Sequence, residues 1–293
     1  RSNLLSKLRA QMGEPTRLKM PAKLAERARA LAAAQASGDD SWVAPPVRDA
    51  ATVIMVRDLP DGLHVYLQRR VRTMAFAAGM HVFPGGAVEP DDIRLADELV
   101  AARAELAALP FAARPAASAG EDTLASRIAA VRETLEETSH DLGDPLNLGY
   151  VGHWVTPAVE DRRFDTRFYA AVVSEDHHVR ENSGESDADR WLRPADALAE
   201  SAAGNMLMLP PTVASLADFA TLAARGATAQ EAIDELAART IIPLMPSPTA
   251  DPTDPSGVRW RLVDFRTDEE VIDIPGPPAG SESGGIHTSL DGN

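Results

Sequence analysis

Arg132-Glu133-Thr134-Leu135-Glu136-Glu137, preceded upstream by Phe83-Pro84-Gly85-Gly86, is the pair of stretches on which the rest of this 293-residue chain can be read. On an α-helix Glu133, Glu136 and Glu137 fall at i, i+3 and i+4, so the three carboxylates leave one side within about one turn. Like charges placed so closely repel one another. Mg²⁺ or Mn²⁺, which favour carboxylate, carbonyl and water oxygens, would offset that repulsion. Arg132, four residues before Glu136, is placed to brace it. A Glu-x-x-Glu-Glu without context reads equally well as a solvated helix face. Here Leu124, Ile128 and Val131 give the same helix an apolar face to bury, which leaves the acidic face elsewhere. Residues 82–88 read as a strand end running into a turn where glycine permits close approach of a ligand.

These residues resemble the Nudix box, Gly-x5-Glu-x7-Arg-Glu-U-x-Glu-Glu-x-Gly-U with U an apolar residue, but in a split form. Gly86 matches the opening glycine, and Asp92 stands where the box has its first Glu. The pattern expects Arg eight positions later, whereas Arg132 stands 40 positions after Asp92 (132 − 92). An insertion at about 93–124, alanine-rich and expected to be helical from Ile93 to Leu109, separates the halves. Such an insertion is similar to that of the Nudix branch containing the animal peroxisomal coenzyme A diphosphatase. Thr134, Ser139 and His140 depart from the box, at positions that are not metal ligands in the family.

The resemblance implies an α/β fold, an α/β/α sandwich around a mixed β-sheet, and metal-dependent hydrolysis of a diphosphate. It implies metal ligation by Glu133, Glu136, Glu137 and the Gly85 carbonyl, with Arg132 orienting the carboxylates. The general base stays open between Glu133, Glu160 in the charged stretch 157–165, and Glu185. Gly79-Met80-His81-Val82-Phe83-Pro84-Gly85-Gly86 also resembles the end of a motif found in coenzyme A-cleaving members. Arg70 matches one of its arginines, Ala75 replaces the other, and Arg69 and Arg72 are available to contact phosphate. Arg70, Arg72 and Gly86 are therefore the expected substrate-side residues. Coenzyme A or its acyl esters lead the substrate list, with NADH, ADP-ribose, dinucleoside polyphosphates and capped RNA as rivals. A ligand-sensing module without catalysis is the competing class, and the intact glutamates favour the enzyme.

Composition narrows the setting. A net charge of −15 argues against general binding to nucleic acid or an anionic membrane. The absence of cysteine, of a recognisable leader and of any long apolar stretch leads to the expectation of a reducing cytoplasmic environment. Lysine occurs only at Lys7, Lys19 and Lys23 while arginine is used throughout, a compositional bias that empties arginine abundance of functional meaning.

The chain divides, on this reading, into a helical N-terminal extension (1–40), a Nudix domain (41–209) carrying the insertion, and C-terminal helices with a tail (210–293). Strands are expected at Ala50–Arg57 and Leu63–Arg70 around the turn Asp58-Leu59-Pro60-Asp61-Gly62, then at Asn147–Thr156, Arg167–Ser174, Glu185–Trp191 and Val258–Phe265. Helices are expected at Arg193–Ala203, Pro211–Ala224 and Ala229–Arg239. The stripe Val213, Leu216, Phe219 and Leu222 reads as core or dimer interface. Residues 243–258 read as a Pro/Ser/Asp-rich linker and 275–293 as a flexible tail. The family analogy adds the expectation of a homodimer.

Overall fold

The computed structural model describes residues 22–70, 79–111, 121–174, 186–253 and 256–271. Arg72, Ala75, Glu185 and the tail from 275 onward lie outside the described residues. The described residues build one nine-stranded mixed sheet. Its strands are β1 (Val47–Leu59), β2 (Gly62–Arg70), β3 (His81–Val82), β4 (Gly85–Ala87), β5 (Gly149–Val155), β6 (Arg163–Val172), β7 (Ser186–Leu192), β8 (Leu244–Ala250) and β9 (Val258–Asp264). The order along the sheet is β3-β2-β1-β6-β5-β8-β9, with β4 also on β1 and β7 also on β2. The β1–β6 and β5–β8 pairs are parallel and the others antiparallel.

Helices cover both faces. They are α1 (Ala22–Ser37), α2 (Pro90–Ala102), α3 (Leu124–Thr138), α4 (Pro194–Ala202), α5 (Pro210–Ala224) and α6 (Ala229–Ala237). Strand alternation sorts the two cores. Ile54, Val56, Val65, Leu67 and Phe168 point to the side covered by α5 and α6, where they meet Val213, Leu216, Phe219, Leu222, Ile233 and Leu236. The helical stripe of α5 is thus core. Ala51, Val53, Met55, Tyr66 and Tyr169 point to the other side and pack against Ala129 and Ala130 of α3. The expected α/β/α sandwich is what forms.

Helix α3 carries the acidic cluster, and both its ends are fixed. At the start, Thr123 and Ser126 form a capping box in which each side chain accepts from the other's backbone N–H. At the end, Ser139 adopts the left-handed conformation, φ 59° and ψ 17°, and its N–H returns to the Leu135 carbonyl at 2.8 Å. Thr134, where the box has an apolar residue, is fully buried. Its hydroxyl donates to the Ala130 carbonyl at 2.7 Å, so no partner outside the helix is needed.

The insertion differs from its expected form. Its helix begins at Pro90 rather than Ile93 and ends at Ala102, followed by a 3₁₀ turn at Ala104–Ala108. Proline at the first position and Asp91 and Asp92 in the first turn explain the earlier start. Ala96 and Leu106 pack on Leu124, Ala125 and Ile128, so the insertion covers the N-terminal half of α3 and leaves the half with the glutamates uncovered by these contacts.

Two further expectations are corrected. Strand β6 begins at Arg163, which shortens the charged stretch 157–165, because Arg163, Asp165 and Arg167 are buried on one face and paired there. Residues 244–250, expected in a linker, form β8, hydrogen-bonded to β9 along its length. Pro246 and Pro248 stand two apart, so both missing N–H groups fall on one edge, and that edge is paired to β5 only at Leu244. Residues 210–271 of the C-terminal stretch thus supply strands to the main sheet and core to one face as well as helices.

Candidate active site

The carboxylates of α3 meet the glycine turn of β4 directly. An ideal Cβ on Gly86 would lie 2.3 Å from both Cδ and Oε1 of Glu133, so only glycine leaves room for that carboxylate. A Cβ on Gly85 would lie 2.3 Å from the Ala51 carbonyl oxygen and 2.6 Å from Thr52 Cα, which makes Gly85 the residue that lets β4 close on β1. The Gly85 N–H donates to Glu137 Oε2 at 3.0 Å, tying the turn to the end of the helix. The Thr52 hydroxyl donates to the Pro84 carbonyl at 2.6 Å and holds the turn from beneath.

Arg132 organises the outer side. Its Nε donates to Asp92 Oδ1 at 3.0 Å and its Nη2 to Asp92 Oδ2 at 2.9 Å, a two-point pairing across the insertion. Nη1 donates to Glu133 Oε1 at 2.9 Å and reaches Glu136 Oε2 at 3.4 Å, and Nη2 also donates to the Ala87 carbonyl. Asp92 is buried, and its Oδ2 accepts the Glu89 N–H at 2.8 Å, so one carboxylate caps α2 and anchors Arg132. Its hydrogen bonds to the Asp92 carboxylate chiefly raise the proton affinity of Arg132, which keeps it charged. Asp92 stands in the sequence where the box has its first Glu, yet its service to both helices becomes visible only in the fold.

Glu133 and Glu137 are the unusual acids. Burial pushes Glu137 up to about 7, against the opposing pull of the Gly85 N–H and the Gln68 amide. Burial also raises Glu133, against the opposing pull of Arg132. The hydrogen-bond donors to Glu137 are both neutral, and the Arg70 charge acts on it only through space. Gln68 is the residue that sequence reasoning missed. It lies on β2, and its Nε2 donates to Glu137 Oε2 at 2.6 Å. A lone strand glutamine has no motif, so only the pairing of β2 beside the glycine turn could reveal it.

The expected three-carboxylate face opens into a fan. At roughly 100° per residue, Glu137 lies about 40° to one side of Glu133 and Glu136 about 60° to the other. Glu137 is accordingly turned to the sheet and buried, while the Glu136 side chain is 60% exposed. Among the described residues no group of three or more His, Cys, Asp or Glu side chains is gathered for a metal ion. The donor chemistry nevertheless suits a hard divalent cation. Glu133 and Glu137 are oxygen donors in a confined place where burial raises both and the Glu133 charge raises Glu137 further, and Glu137 has no bonded cation.

The other expected residues divide. Arg70 is half-buried on β2 near enough to Glu137 to lower its proton affinity, and its Nε is buried without a hydrogen-bond partner. Glu160 is not brought to this group. It lies before β6 near Arg27 of α1, and burial raises its proton affinity. Arg163 at the head of β6 is level with Val47, five residues along β1 from the Thr52 that pairs with Gly85, a span of about 16 Å. His153 is buried and bonded to Asp165 and Tyr150, a structural histidine.

No family model matches the sequence. A Caenorhabditis elegans protein that carries a nudix hydrolase name is 28% identical over 179 residues, which are 58% of this chain and 59% of that protein. The chain therefore spans less than two thirds of the length of that relative. The crystal structure of a NUDIX hydrolase from Alicyclobacillus acidocaldarius superposes with a TM-score of 0.52 at 26% identity, covering 65% of this chain and 96% of the other. The fold is that of the Nudix hydrolases, and the split box and these two likenesses make the chain similar to proteins of that superfamily.

Proposed function

We propose that the chain is a divalent-metal-dependent diphosphatase acting on a nucleoside diphosphate linked to another moiety, with coenzyme A or an acyl-coenzyme A as the first substrate. The observation that carries the reading is the pairing of Glu133 and Glu137 against Gly85 and Gly86, two acids raised by burial with no cation bonded to Glu137. Mg²⁺ or Mn²⁺, when bound, would neutralise the diphosphate and lower the pKa of a coordinated water. Glu133 and Glu137 would hold the ion with the Gly85 carbonyl, and the more exposed Glu136 would join from the outer side. Arg132, fixed by Asp92, keeps Glu133 in place. Glu133 is then the residue best sited to take a proton from the attacking water, since Glu160 belongs to another part of the surface.

Substrate choice rests on two features of the chain. The split box resembles that of coenzyme A-cleaving relatives, and Arg70 keeps one arginine of their phosphate-side motif within electrostatic reach of Glu137. The purified protein is to be incubated with Mg²⁺ and coenzyme A, acyl-coenzyme A, NADH, ADP-ribose, a dinucleoside tetraphosphate and capped RNA, alongside Glu137→Gln. Cleavage of coenzyme A to phosphopantetheine and 3′,5′-ADP, lost in the variant, is the expected result. No turnover of any diphosphate, or turnover indifferent to the substitution, defeats the proposal, and cleavage of a different diphosphate defeats only the coenzyme A assignment.

A further inference from the structure

Gln68 is 2% exposed, and its amide is only half used. Nε2 donates to Glu137 Oε2 at 2.6 Å, while the buried Oε1 has no hydrogen-bond partner. The Gly85 N–H donates to the same Glu137 oxygen at 3.0 Å. Two neutral donors thus converge on one oxygen of Glu137, and neither of these bonds engages the other. A glutamine serving the core alone would satisfy both ends of its amide, because a buried acceptor without a donor keeps its desolvation penalty. A strand position is also the right place for such a support. β2 is paired to β1, β3 and β7, so Gln68 is held on a rigid frame while Glu137 lies in the last turn of α3.

We propose that Gln68 is a positioning residue for the metal-binding carboxylate: with the Gly85 N–H it locks one oxygen of Glu137 and leaves the other free for the cation. The inference rests on the metal-dependent reading of the site. The unfilled Gln68 Oε1 then serves as an acceptor for a water or hydroxyl donor that arrives with the ligand. The same carboxylate without Gln68 would lose one of its two restraints, and removing a partner that orients a ligand weakens metal affinity by about 10–100-fold.

Mn²⁺ binding by titration calorimetry, together with crystal structures of the metal-free proteins, tests this on the wild type, Gln68→Met and Gln68→Leu. Methionine keeps the length and loses the donor, and leucine stands in if that variant does not fold. The expected result is Mn²⁺ affinity about tenfold weaker, with the Glu137 carboxylate moved away from the Gly85 N–H. Affinity unchanged, or a carboxylate unmoved, overturns the inference, even when the variant melts earlier, since that outcome marks Gln68 as merely structural. Failure of the wild type itself to bind Mn²⁺ overturns the metal reading of the site, and the position of Glu137 in the variants still judges Gln68 separately.

Discussion

The two ends of α3 each hold charged residues at low exposure, and they treat that charge in opposite ways. At the N-terminal end Arg127 is bonded to Asp122 through Nε and Nη2, the latter at 2.6 Å, and donates to the Leu148 carbonyl at 2.8 Å. Asp122 also accepts from the Tyr169 hydroxyl at 2.7 Å, and the Arg127 guanidinium lies 4.1 Å over the Phe111 ring. Beside it Arg167, fully buried, is bonded to Asp49 and to the Glu121 carbonyl. At the C-terminal end one guanidinium, Arg132, is shared among Asp92, Glu133 and Glu136, and Glu137 receives only neutral donors. The first end is neutralised by its own residues. The second is left short of positive charge, and on the proposed reading a cation completes it, so one helix would be scaffold at one end and reagent at the other.

Breaking each end separately sharpens the contrast. Arg127→Ala strands Asp122 in the interior and is expected to destabilise the fold by about 3–5 kcal/mol, measured by urea unfolding. The activity of the fraction that remains folded should change little. Glu137→Gln does the reverse. It is expected to lower turnover by about 100-fold or more, equal to roughly 2.7 kcal/mol of transition-state stabilisation, with the unfolding midpoint unchanged or raised. If Arg127→Ala left stability intact, or Glu137→Gln unfolded the protein, the division of labour along α3 would be wrong.

Gly86→Ala probes the boundary of the reactive end with a smaller change. Gly86 does not use a left-handed conformation, and the added methyl meets the far end of a movable side chain, so the protein should fold. Glu133 must rotate away from its place beside Arg132, and turnover is expected to fall by about tenfold while stability shifts by under about 1 kcal/mol. Kinetics and thermal unfolding on the same preparation check both halves of this expectation.

What the sequence made legible was the local part. Helix α3, the β1–β2 hairpin, the glycine turn and the α5 stripe are written in spacing and turn residues close together in the chain. One misreading took polarity for exposure. Arg163 and Asp165 read as part of a charged loop, but their partners His153 and the Thr156 carbonyl lie across the hairpin, so these charges are buried with partners. Proline made 244–250 look like a linker, although an edge open beyond Leu244 accepts it. Within the candidate site, the placing of Glu133 and Glu137 on one helix followed from its geometry, whereas Glu160 lies apart through the registry of β6 on β1, and Gln68 was invisible without β2 beside α3. Residues that act through a neighbour leave no spacing of their own.

The smallest expected effect concerns the residue that stops the reactive end. Ser139 occupies the position where the box places glycine, and it keeps the glycine conformation, with φ 59° and ψ 17°. A non-glycine residue in that region strains against its own carbonyl by roughly 1–2 kcal/mol, partly offset by the lower chain entropy that serine, unlike glycine, leaves in the unfolded state. Ser139→Gly is therefore expected to raise stability by about 0.5–1 kcal/mol, read as a higher midpoint in urea with an unchanged slope. Turnover should stay constant, because the Leu135 carbonyl is capped by the backbone N–H of residue 139 whatever its side chain. A loss of turnover on this substitution would show instead that the serine hydroxyl acts on the carboxylates one turn away, and would move the functional boundary of α3 past Glu137.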